Sequence, residues 1–84
     1  MRCKTIHIIY SHEVPKVGAF CAVFPDESRV YYLNGLPHKA NGPAVIWASG
    51  YKEYRQNGAL HRINGPAVIW NKVQKAYWQD GQLH

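Results

Sequence analysis

Apolar and polar residues in this chain are arranged in short runs, most of which stop at an Asn-Gly, Asp-Gly or Ser-Gly pair or at a proline. Read with the two-residue period of a strand, the runs predict strands over roughly 5–10, 19–24, 28–33, 43–48, 51–56, 66–70 and 74–79. AVIW, at 44–47 and again at 67–70, is rich in β-formers. No segment has helical periodicity. Alternation puts Arg29, Tyr31 and Leu33 on one face, with Lys52, Tyr54 and Gln56, and with Lys75, Tyr77 and Gln79. The other face takes Val30 and Tyr32, Glu53 and Arg55, and Ala76 and Trp78.

Turn chemistry fixes the connections. Asn34-Gly35, Asn57-Gly58 and Asp80-Gly81 are strong hairpin signals, because both residues of each pair tolerate positive φ. A second pair follows at Asn41-Gly42 and Asn64-Gly65, each ahead of a proline that suits a strand start. The same backbone role is expected of these glycines. ALHRI, 59–63, lies between two such pairs and reads as one compact loop. Ser49-Gly50 and Asn71-Lys72 make the remaining turns. Connections this short predict an antiparallel meander.

The pattern is also periodic over a longer distance. NGPAVIW occurs at 41–47 and unchanged at 64–70, an interval of 23 residues. Tyr31, Tyr54 and Tyr77 recur at that interval, as do His38, His61 and His84. A worn copy reaches back to 8–24, with Ser11-His12 for Asn-Gly and Pro15 for the histidine. The 84 residues therefore read as a single domain: a leader, a degenerate repeat at about 8–30, repeats at 31–53 and 54–76, and a partial repeat at 77–84. Such units bury a core only by stacking on their neighbours.

GYKEYRQNGALHRINGPAVIW, 50–70, resembles a MORN-type repeat in its order of Tyr, Asn-Gly, His, Gly, strand and Gly turn. Its His-Arg and Gly-Pro-Ala core is similar to variant repeats in small proteins of phages and large viruses. The resemblance implies an all-β antiparallel β-meander of 23-residue MORN-like hairpin repeats, in a single twisted or curled sheet. It also implies a binding scaffold for proteins or acidic phospholipids. The chain departs from the pattern at Leu33, Gln56 and Gln79, where MORN repeats carry glycine.

Charge sharpens the picture. Ten Lys and Arg against five Asp and Glu give +5 at pH 7. Arg29, Lys52 and Lys75 share one repeat position, and Lys16, Lys39 and Arg62 another, while no acidic position recurs. Cys3 and Cys21 lack metal-ligand spacing, and Cys21, at the position of Ala44, reads as a buried reduced thiol. No run is long enough to span a bilayer and no signal-peptide pattern opens the chain, so a cytoplasmic location is expected, the host cytoplasm if phage-encoded.

Candidate chemistry is sparse. Equivalent histidines two strands apart stand about 10 Å from one another, too far to share a zinc, so they are expected to hydrogen-bond their loops. No nucleophile motif or phosphate-binding loop is found, and only Asp26, Glu27 and His12 offer a conceivable cluster. The expectation is a non-enzymatic protein-binding module without metal or cofactor. Its candidate binding residues are Arg29, Tyr31, Lys39, Lys52, Tyr54, Arg62, Lys75 and Tyr77. The expected partner is an acidic or mixed-charge protein, and the phage resemblance makes it a host or defence protein to be inhibited or modulated. Nucleic acid is the alternative ligand and acidic phospholipid the second. Apolar residues on both strand faces predict self-association, as a dimer.

Overall fold

The computed structural model describes residues 3–71 and 74–83. His84 of the histidine column, Lys72 of the expected turn and the first two leader residues lie outside the described residues. Within them the fold is all-β. Its strands are β1 (Lys4–His7), β2 (Ala19–Val23), β3 (Arg29–Leu33), β4 (Leu36–Pro37), β5 (Val45–Ile46) and β6 (Lys52–Glu53), followed by β7 (Arg55–Gln56), β8 (Ala59–Leu60), β9 (Val68–Ile69), β10 (Lys75–Ala76), β11 (Trp78–Gln79) and β12 (Gln82–Leu83). The one helical element among the described residues is a 3-10 turn at Ser11–Glu13. No helix among them is long and apolar enough to cross a membrane.

The main sheet runs β1-β2-β3-β5-β6-β9-β10, with β4 hydrogen-bonded to β3. Its neighbours are antiparallel except β1 and β2, which are parallel. The meander expectation is corrected there, for a local reason. Ser11-His12 replaces the Asn-Gly of the later units, and the chain makes a 3-10 turn instead of a hairpin. The Glu13 carboxylate closes that turn by accepting the N–H groups of Tyr10 at 2.6 Å and Ile9 at 2.7 Å. Those bonds, Tyr10's first, hold its carboxyl below the ordinary range. The crossover puts Ile8 and Val14 against Ala22, with Ile6, Phe24 and Tyr32 packed around them.

Asn34-Gly35, Asn57-Gly58 and Asp80-Gly81 have φ values of 51° and 80°, 50° and 87°, and 51° and 77°. Two consecutive left-handed residues make the tightest hairpin turn, whose twist matches that of the strands. Each pair therefore returns the chain at once into β4, β8 or β12. The reading of 59–63 as loop is corrected: Ala59 and Leu60 pair with Gln56 and Arg55. The expected strands 51–56 and 74–79 each divide, at Tyr54 and Tyr77. The Tyr54 N–H bonds the Ala67 carbonyl of the main sheet at 2.7 Å, and the Tyr54 carbonyl accepts the His61 N–H at 2.9 Å. The tyrosine is thus the joint between sheet and hairpin.

Successive hairpins are bonded side by side. Gly58 N–H donates to the Pro37 carbonyl at 2.9 Å and Lys39 N–H to that of Arg55 at 3.2 Å. The same two bonds follow from Gly81 to Leu60 and from Arg62 to Trp78, at 2.9 Å each. Register across the main sheet sorts the faces. Ala22, Val30, Val45, Glu53, Val68 and Ala76 lie opposite one another in a single row. Ala22, Val30, Val45 and Val68 of that row are buried. Val23, Arg29, Ile46, Lys52, Ile69 and Lys75 form the neighbouring row, on the other face. Cys21 is buried and Cys3 exposed.

Candidate functional site

The second row is the most regular charged feature of the molecule. Across β3, β5, β6, β9 and β10 the order is Arg29, Ile46, Lys52, Ile69, Lys75. Arg29, Lys52 and Lys75 are exposed and the isoleucines between them half-buried. With strands about 4.8 Å apart, the charges recur about every 10 Å. Tyr31 stands two residues beyond Arg29 and so shares its face. Its N–H donates to Ala44 at 2.7 Å, as that of Tyr54 does to Ala67 at 2.7 Å, and both alanines are fully buried.

Each of these tyrosines carries a cation from its own unit. Lys39 Nζ is 3.8 Å from the Tyr31 ring centroid, and the Arg62 guanidinium carbon is 3.9 Å from that of Tyr54. Ammonium and guanidinium groups are drawn to the negative face of an aromatic ring. The Asn-Gly-Pro segments make room for them. A Cβ on Gly65 would come within 2.9 Å of Arg62 Cζ and Nη1, and one on Gly42 within 3.6 Å of Lys39 Cε. Neither glycine has positive φ, which corrects the backbone role expected of them. Gly65 is glycine so that a guanidinium can lie against it. Arg62 Nη1 also donates to the Pro66 carbonyl at 3.2 Å.

The histidines do bond loops, but those of the next hairpin. His38 Nδ1 accepts the Asn57 N–H and His61 Nδ1 the Asp80 N–H, each at 2.9 Å. A neutral imidazole that accepts at Nδ1 carries its proton on Nε2. The degenerate unit has Pro15 at this position, and there the Asn34 N–H turns to the Gly18 carbonyl at 2.9 Å.

Two clefts open beside the stacked cations. The larger, of about 710 Å³, lies between segments 39–43 and 61–64, with Tyr54 and Gln56 lining it. The smaller, of about 380 Å³, is lined by Tyr31, His38 and Lys39 with Ala19 and Cys3. No Asp or Glu lines either. Close charged contacts among the described residues are Arg55 with Glu53 at 2.6 Å, and His61 with Asp80 at 3.4 Å, the second an ion pair only when the imidazole is protonated. None of them involves Arg29, Lys39, Lys52, Arg62 or Lys75.

The structure thus joins Tyr31 to Lys39 and Tyr54 to Arg62, and lines up Arg29, Lys52 and Lys75 beside them. Tyr77 is 51% exposed. Lys16 is exposed, and its unit has the buried Ile8 where the others have tyrosine. His12 stacks on Tyr10 with centroids 5.6 Å apart, while Asp26 accepts the Ser28 N–H at 2.9 Å, so each is engaged in its own turn. Among the described residues no group of three His, Cys, Asp or Glu is placed to hold a metal.

A feature of the opposite face was missed in the sequence. The Tyr51 hydroxyl donates to Glu53 Oε2, Arg55 Nε donates to Glu53 Oε1 at 2.6 Å, and Arg55 Nη1 to the Gly58 carbonyl at 2.6 Å. Burial, and then the bond to Glu53, push the Tyr51 phenol up to about 12. The signal was available: the equivalent residues one unit earlier are Ser28, Val30 and Tyr32, so this triad is private to one unit. It borders a groove of about 410 Å³ lined by Ile9, Tyr10, Phe24 and Trp47. Comparison with protein-family models, with curated proteins and with solved structures gave no match to this chain.

Proposed function

We propose that the chain is a non-enzymatic binding module: one array of 23-residue MORN-like hairpin units whose basic, tyrosine-bearing face docks on an acidic protein surface. The units are those expected from the sequence, a degenerate one at about 8–30, two at 31–53 and 54–76, and a partial one from 77. Supporting the array are the contacts that recur one unit apart: cation on tyrosine, histidine to the next hairpin tip, and tyrosine amide to alanine carbonyl. The resemblance to phage repeat proteins points to a host or defence protein as the partner, held and inhibited or modulated by occupation of its acidic surface. Exposed Trp47 and Trp70 on the opposite face support self-association as a dimer.

The observation that carries the reading is the cation set. Five positive side chains are held on one face of the array by register or by a tyrosine ring, none of them in an ion pair with a carboxylate among the described residues. Such a field favours an acidic partner and steers its approach. The ring stacking favours protein over single-stranded nucleic acid, since Lys39 and Arg62 already cover a face that a base would need. Affinity capture from host extract is the test. Wild-type protein retains a stoichiometric protein partner, and Lys52→Glu with Lys75→Glu releases it without loss of fold. Retention of nucleic acid alone, lost steeply with salt, would replace this reading with the nucleic-acid one.

A further inference from the structure

We infer that the cleft between segments 39–43 and 61–64 seats a carboxylate side chain of the partner, with Arg62 as its anchor and Gly65 as the residue that fixes the anchor; the inference rests on the acidic-partner reading above. Arg62 is unlike the cations of the exposed row. Its guanidinium carbon lies 3.9 Å from the centre of the Tyr54 ring, and a Cβ on Gly65 would meet that carbon and Nη1 at 2.9 Å. Nη1 is engaged with the Pro66 carbonyl at 3.2 Å. The edge formed by Nε and Nη2 remains, and two parallel N–H groups match the two oxygens of a carboxylate. The side chain is thus ordered before a ligand arrives, which lowers the entropy lost on binding.

The rest of the cleft has the same polarity. Lys39 also lines it, and Gln56 Nε2 donates to the Lys39 carbonyl at 3.0 Å, tying that segment to the next hairpin. The His61 ring is oriented by the Asp80 N–H on Nδ1, so its neutral form carries a hydrogen-bond donor at Nε2. Asn64 adds a side-chain amide, and no carboxylate of the chain lines the space. The smaller cleft one unit earlier has Lys39 on Tyr31 but Ala19 and Cys3 in place of a second cation. The larger cleft is therefore the one of the two that both Arg62 and Lys39 line.

The test uses an acetylated, amidated Asp-Glu-Asp-Glu peptide as probe and follows the Arg62 Nε–H and the Asn64 and Gly65 amides by NMR. The peptide is expected to shift these signals saturably. Arg62→Lys keeps the charge and loses the fork, and should weaken the peptide about tenfold. Gly65→Ala keeps every charge but displaces the guanidinium, and should weaken it by a similar factor, about fivefold to tenfold. Gly42→Ala meets Lys39 only at ordinary contact distance and should bind as wild type. Should Gly65→Ala unfold, Arg62→Lys alone decides. Wild-type affinity in Arg62→Lys, or in folded Gly65→Ala, overturns the inference. So does inorganic phosphate saturating the same signals more tightly than the peptide, which would assign the cleft to phosphate. If the cleft variants bind normally while the Lys52 and Lys75 reversal still releases the partner, the cleft is rejected and the acidic-partner reading stands.

Discussion

Gly58 and Gly65 stand seven residues apart in the same Asn-Gly context, yet they are glycine for different reasons. Gly58 has φ of 87°, where an L side chain is strained; Gly65 lies outside that region and leaves space for Arg62. Alanine at 58 should therefore cost about 1–2 kcal/mol, since the left-handed backbone is penalised by about that much. Alanine at 65 should cost below about 1 kcal/mol, because the atom it meets ends a flexible side chain. Urea denaturation separates the two, and equal losses would contradict this account. The dipeptide alone could not show the difference, because Asn-Gly reads as a turn wherever it falls. The cation that explains the second glycine sits three residues earlier in the sequence and becomes relevant only once a ring is beneath it. Tyr51 gives a second residue-scale prediction. Its folded value, about 12, lies above the ordinary value of about 10, so the neutral phenol is favoured in the fold. That contribution is fully present below pH ~10 and is lost as pH rises toward 12. Ultraviolet titration of Tyr51→Phe should lack a tyrosinate component that ionises near pH 12 in the wild type. An unchanged titration above pH ~11 would contradict the burial of Tyr51 beside Glu53 that raises it.

Each hairpin is bonded to the next, and the histidines supply two of those bonds. His38→Ala removes the acceptor for the Asn57 N–H. The expected loss is about 1 kcal/mol, the ordinary worth of one hydrogen bond. Hydrogen exchange at the Asn57 amide should quicken, while that at Asp80, served by His61, should not. Equal rates in both proteins would mean that the bond does not hold the hairpin. At this scale much was legible in the sequence. All seven expected strands have counterparts, and repeat arithmetic placed Arg29, Lys52 and Lys75 on one face. The breaks at Tyr54 and Tyr77 were not legible, because alternation continues through them while the hydrogen-bond partner changes. Nor was the parallel pairing of β1 with β2, which follows from the degenerate unit's lost turn and from burial of Ile8 and Val14.

For the molecule as a whole, the proposed reading gives each face of the sheet its own partner. Trp47 and Trp70 remain 40% and 49% exposed on the face that carries Tyr51 and Glu53. Sedimentation at micromolar concentration should show a dimer, and Trp47→Ser with Trp70→Ser should return it to monomer. A wild-type monomer would leave this face to another occupant. On the basic face, the role we propose for the register-ordered cations is to steer an acidic protein onto the tyrosine-bearing side of the sheet. The most direct measurement is the association rate with the captured partner, for wild type and for Lys52→Glu with Lys75→Glu, from low to high salt. The double reversal is expected to slow association roughly tenfold or more at low salt, the gap narrowing as salt screens both proteins, with melting unchanged. Equal rates with equal salt slopes would contradict it and would move the working surface to the opposite face, around Arg55 and Trp78.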